Sequence, residues 1–112
     1  SVDYLFHSAA RLYGAGVLAL MMTGMGSDGL SGARAVHEAG GVVLAQDEAT
    51  SAVWGMPGRV VESGIANAVL PLAAIAGELR QRVSASRTML QAVGEAAVST
   101  AVSRREGIHG LF

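Results

Sequence analysis

An α/β fold, part of a doubly wound and mainly parallel sheet with flanking helices, is predicted by three features of this 112-residue sequence. First, Val17-Leu18-Ala19-Leu20-Met21-Met22 is apolar at every position, the pattern of a strand buried on both faces. Second, a glycine-rich turn follows, and then a segment with apolar residues at helical spacing. Third, Val42-Val43-Leu44-Ala45 supplies another short apolar run. A strand–helix–strand order of this kind favours a right-handed parallel crossover.

The elements can be taken in order. Ser1 caps a helix over residues 2–13, with Asp3 in its first turn, where the helix dipole favours an acid. Val2, Leu5, Phe6, Ala9, Leu12 and Tyr13 fall at helical spacing, and Gly14 is a natural stop. A strand is expected over 16–22, and Thr23 to Gly29 form the turn. Leu30, Ala33, Val36 and Ala39 then share one face of a helix over 29–39, ended by Gly40-Gly41. After the strand at 42–45 come Gln46-Asp47-Glu48 and a loop to Gly55-Met56-Pro57. Pro57 suits the first turn of a helix running to Glu62. A short strand at 68–70 and a helix at 72–83 follow. Leu90, Val93, Ala97 and Ala101 predict one more helix over 86–103, and 106–112 is expected to fray. Residues 84–112 thus read as a helical extension and tail of open role, separate from 1–83.

Composition narrows the function. All eight basic residues are Arg, and the net charge of −1 provides no general field for nucleic acid or anionic membrane. Residues 1–70 sum to −3 and 71–112 to +2, a weak polarity along the chain. The absence of Cys excludes a disulfide scaffold, a thiol nucleophile and Cys-ligated metal, and fits a cytoplasmic setting. No apolar run approaches the ~20 residues of a membrane helix, so membrane insertion is not expected.

Gly24-Met25-Gly26-Ser27-Asp28-Gly29 carries the chemistry and admits three readings. It matches G-x-G-x-x-G between a strand and a helix, and Asp47 lies where a dinucleotide fold places its ribose-binding acid. Asp28 opposes that reading, because a carboxylate among the turn's N–H groups would repel pyrophosphate. Asp28 could instead cap the helix that follows. In the third reading it is a catalytic acid at the C-terminal edge of a parallel strand, where open α/β sheets build their sites.

Thr23-Gly24-Met25-Gly26-Ser27-Asp28-Gly29 resembles the TGMGxDG signature of the chemotaxis receptor methylesterases, the CheB-type protein-glutamate methylesterases. The resemblance continues through Ala45-Gln46-Asp47-Glu48-Ala49-Thr50-Ser51 and Gly55-Met56-Pro57, and includes Ser1-Val2-Asp3; it covers about residues 1–75. It implies a Ser-His-Asp hydrolase, with no metal or organic cofactor, acting on glutamyl methyl esters of chemoreceptor signalling domains. Many members also deamidate receptor glutamines, and a receiver domain controls the esterase in the parent protein. By motif, Asp28 corresponds to the triad aspartate, which orients the catalytic His and stabilises its imidazolium. The family's Ser and His lie upstream of this segment, so the sequence is expected to be the C-terminal portion of a catalytic domain, inactive alone. A noncatalytic interaction fragment is the rival reading, and a dinucleotide-binding module the more distant one.

Substitutes for the missing pair are not apparent. His37 lies nine residues beyond Asp28, about 13 Å along a helix, and His7 reads as a surface residue of the first helix. His109 falls in the tail, and Ser8, Ser31 and Ser51 lack a nucleophile-elbow context. Asp47 and Glu48 read as solvated loop acids, Trp54 as a packing anchor, and Arg80, Arg82 and Arg87 as solvated helix-end cations.

Overall fold

The structure, a computed structural model, describes residues 2–23, 29–82, 87–93 and 96–102. Helix α1 spans Val2–Tyr13, and a short 3₁₀ turn, Gly14–Gly16, leads into strand β1, Val17–Met22. Helix α2 (Leu30–Glu38), β2 (Val42–Gln46), α3 (Gly55–Glu62), β3 (Ala68–Leu70) and α4 (Leu72–Arg82) follow, then β4 (Arg87–Val93) and β5 (Ala96–Val102). The five strands form one sheet in the order β3-β2-β1-β4-β5. Every neighbouring pair is parallel except β4 with β5. The predicted α/β class holds, with its mainly parallel sheet.

Period-two alternation along β1 and β2 divides the core between the two faces. Val17, Ala19, Met21, Val43 and Ala45 point to one face and pack with Phe6 and Ala9 of α1, Val36 of α2, and Met56 and Val60 of α3. Leu18, Leu20 and Leu44 point to the other and meet Ile75 and Leu79 of α4. Helices therefore cover both faces, which is why β1 had to be apolar at every position.

Glycine governs two of the joints. Gly14 takes φ 55° between α1 and the 3₁₀ turn, and Gly40 takes φ 86° between α2 and β2. Both are left-handed conformations that side chains disfavour. Pro57 lies in the first turn of α3, where its missing N–H has no intrahelical partner to lose.

The helix expected over 86–103 is not formed: β4 and β5 stand there as an antiparallel pair. β4 runs along β1 over its whole length, from Val17 opposite Thr88 to Met22 opposite Val93. The physical reason is tertiary. A central buried strand needs ladder partners on both edges, and β4 satisfies the edge of β1 that β2 leaves open. The sequence carried a competing signal, since Val98, Thr100 and Val102 are β-branched residues at every second position. The expectations for Ser1, residues 106–112, His109 and Asp28 lie outside the described residues.

Candidate functional site

The glycine-rich turn leaves the C-terminal end of β1. Residues 24–28, Asp28 among them, lie outside the described residues, so the site is built from what holds the turn's two ends.

The first end is Thr23, and its partners come from the 46–54 segment. Gln46 ends β2 and its polar side chain is buried, 1% exposed. Its Oε1 accepts a hydrogen bond from the Thr23 N–H at 2.9 Å. Its Nε2 donates to the Thr50 carbonyl at 2.8 Å and to Thr50 Oγ1 at 3.2 Å. Both ends of the amide are thus engaged, as a buried amide requires. The Thr23 hydroxyl donates to the Val53 carbonyl and accepts from the Val53 N–H, each at 3.0 Å.

Thr50 joins three strand ends. Its hydroxyl donates to Asp47 Oδ1 at 2.6 Å and accepts from Gln46 Nε2 and from the Leu72 N–H at 3.0 Å. Asp47 Oδ1 also accepts from the Thr50 N–H at 3.0 Å, a local side-chain-to-backbone bond three residues on. The Asp47 N–H donates to the Leu70 carbonyl at 2.8 Å, which extends the ladder from β2 to β3. The ends of β1, β2 and β3 are consequently tied through one Gln and one Thr.

Trp54 completes this support as the packing anchor it was expected to be. Its Nε1 donates to the Gln46 carbonyl at 2.9 Å. Its ring lies over Gly58 so closely that a Cβ there would come within 2.9 Å of Cε3.

The second end is Gly29, the N-cap of α2, at φ 108°. It has no side chain with which to cap, and the structure supplies an acceptor from elsewhere: Asp3 Oδ1 of α1 accepts the Gly32 N–H at 2.7 Å. Asp3 therefore serves the start of α2 as well as its own helix, a role that its spacing in the sequence did not reveal. The contact requires glycine at position 32. A Cβ there would lie 2.5 Å from Phe6 Cβ and 3.1 Å from the Asp3 backbone.

Of the other candidates, Asp47 uses Oδ1 on its own loop, while Glu48 and His37 are exposed. Arg80 is exposed on α4, and Arg82 pairs with Glu78. His7 and Ser31 meet across α1 and α2, with Nε2 and Oγ 2.8 Å apart, a pairing that sequence reasoning missed because 24 residues separate them. No group of three or more His, Asp or Glu residues able to hold a metal occurs among the described residues.

A parallel α/β sheet whose strand ends are cross-tied at Thr23, where the TGMGxDG sequence begins, defines one class of protein, an α/β domain of the open-sheet kind that builds sites at the C-terminal edge of its strands. The chain belongs to the CheB methylesterase family, whose model matches residues 1–79. A protein-glutamate methylesterase/protein-glutamine glutaminase of Nocardioides sp. is 52% identical over 94 residues, which are 84% of this chain and 26% of that protein. The same-named protein of Moorella thermoacetica is 59% identical over 76 residues, 68% of this chain and 18% of that protein. Among solved structures, the CheB methylesterase catalytic domain of Thermotoga maritima superposes with a TM-score of 0.71 at 42% identity, over 72% of this chain and 43% of that domain. The chain thus spans between about a fifth and a quarter of the length of these curated relatives. Strands β4 and β5 lie beyond the family match.

Proposed function

We propose that this chain is the C-terminal portion of the catalytic domain of a protein-glutamate methylesterase that acts on methylated chemoreceptor signalling domains in the cytoplasm. The observation that carries the reading is the family match over residues 1–79, which includes the complete TGMGxDG turn. In this reading Asp28 is the triad aspartate, and the parent protein supplies the Ser, the His and a regulating receiver domain. The Ser hydroxyl attacks the γ-glutamyl ester carbonyl as its proton passes to His, and Asp28 stabilises the imidazolium so formed. Collapse of the intermediate returns that proton to the departing methoxide, releasing methanol. Water, activated by the same His, then hydrolyses the acyl-enzyme and leaves a glutamate carboxylate. A receptor glutamine follows the same course and releases ammonia. Among the chain's described residues, Gln46, Thr50 and Asp3 act in support, holding the two ends of the turn that bears Asp28.

A chimera tests the reading. Residues 1–79 replace their counterpart in the Thermotoga maritima catalytic domain, which contributes the upstream Ser and His. Methanol release from methylated receptor is the expected result. A folded chimera that releases none rejects the assignment. The 112-residue chain by itself is expected to release none.

A further inference from the structure

A second polar constellation lies on the face of the sheet covered by α1 and α2, apart from the strand-end network. A cleft of about 620 Å³ runs between the two helices. It is shallow and open to solvent. Its walls carry His7 and Arg11 from α1, and Ser31, Arg34 and Glu38 from α2, while the buried Ala10 forms part of its floor. Two guanidiniums stand against one carboxylate, so the cleft is positive in a chain whose net charge is −1. Neither Arg11 nor Arg34 has a carboxylate within ion-pairing distance among the described residues. The 2.8 Å bond between His7 Nε2 and Ser31 Oγ fixes the two walls relative to each other. The Asp3–Gly32 bond holds them together one turn earlier on α1. Ser31 lies two residues beyond Gly29, at the end of α2 that the signature turn feeds, and the cleft runs from there to Arg11, Glu38 and Ala39, near the end of α1 that leads into the start of β1.

We propose that this cleft docks an acidic segment of the polypeptide substrate, with Arg11 and Arg34 gripping glutamate carboxylates at a distance from the residue being hydrolysed. The proposal rests on the methylesterase reading, because that reaction turns neutral glutamyl esters or glutamines into carboxylates. A substrate with several sites gains charge as it is processed. Guanidinium forks bind carboxylates bidentately and have little affinity for the neutral ester. The cleft therefore favours polypeptides already carrying free glutamates.

Binding without turnover tests this separately from the enzymatic reading. The full 112-residue chain, labelled for amide NMR, is titrated with a synthetic peptide bearing four glutamates and with the same peptide carrying glutamines. The Glu peptide is expected to shift the amides of His7, Arg11, Ser31 and Arg34. R11Q and R34Q, both exposed positions, are each expected to weaken binding by about 2- to 5-fold, in keeping with charge pairs at an accessible site. Raising salt from about 50 mM to about 500 mM should weaken it at least as much, since exposed charges are then screened within a few ångströms. A double charge reversal, R11E/R34E, is expected to transfer the preference to a Lys peptide, which shows that the variant remains folded. Equal binding of the Gln peptide overturns the proposal. So do indifference to R11Q/R34Q, shifts confined to another surface, or no shifts at millimolar peptide. Any of these leaves the chimera result standing, and an inactive chimera leaves the binding result standing.

Discussion

Replacing Gly32 by Ala sets two physical effects against each other. Local propensity favours the change, because Gly in a helix interior costs about 1 kcal/mol relative to Ala. Packing opposes it. The new Cβ would lie 2.5 Å from Phe6 Cβ and 3.1 Å from both Asp3 Cα and the Asp3 carbonyl oxygen. Carbon atoms in contact sit at roughly 3.5–4.0 Å, so α1 must retreat by about 1 Å. No rotamer relieves this, since the obstructing atoms are a backbone and the first atom of a side chain that is fully buried. Overpacking costs about 1–3 kcal/mol, and the retreat also lengthens the 2.7 Å bond from Gly32 to Asp3, which adds about 1 kcal/mol. The net expectation is a loss of about 1–3 kcal/mol, equivalent to a Tm lower by about 5 °C or more in a domain of this size. Gly77 in α4 is the control, because a Cβ there meets nothing within 4 Å. Gly77→Ala should therefore stabilise by about 0.5–1 kcal/mol. Urea denaturation followed by circular dichroism measures both. A Gly32→Ala protein as stable as the parent would refute the close packing of α1 on α2.

Other substitutions probe the support of the turn. Gln46→Leu should lower stability by about 1–3 kcal/mol, because the Thr23 N–H and Thr50 carbonyl lose their buried partner; the same denaturation experiment reads it. Asp3→Ala should cost about 1 kcal/mol as the Gly32 N–H loses its cap, and faster hydrogen exchange at Gly32 is the specific readout. Trp54→Phe, which keeps a ring and removes the bond to the Gln46 carbonyl, should cost about 0.5–1.5 kcal/mol.

Most of the sheet was legible because burial on both faces leaves an unmistakable apolar run. β1 and β2 announced themselves in this way, and α1 was marked by its spacing and by Gly14. The segment after residue 86 was misread because its small residues satisfy helical and strand periodicities alike. What decided between them was an unpaired edge of β1, and this lies some 70 residues away in the sequence. The supporting residues were hidden for a similar reason. Asp47 and Thr50 stand three residues apart, within reach of a local side-chain-to-backbone bond, a signal that could have been found. Gln46 reaching Thr23, Asp3 reaching Gly32 and His7 reaching Ser31 are long-range contacts that no local pattern encodes.

The central claim is that the acid of the signature turn works as the triad aspartate, and Asp28→Asn in the chimera tests it most directly. The substitution keeps the side chain's size and removes its charge, so the folded structure is expected to persist while the catalytic His loses its correct tautomer. Single-turnover methanol release should fall by about 10⁴-fold, the loss seen when a triad aspartate is neutralised. Release within about 10-fold of the unsubstituted chimera would contradict the claim, because a helix cap tolerates asparagine as well as aspartate.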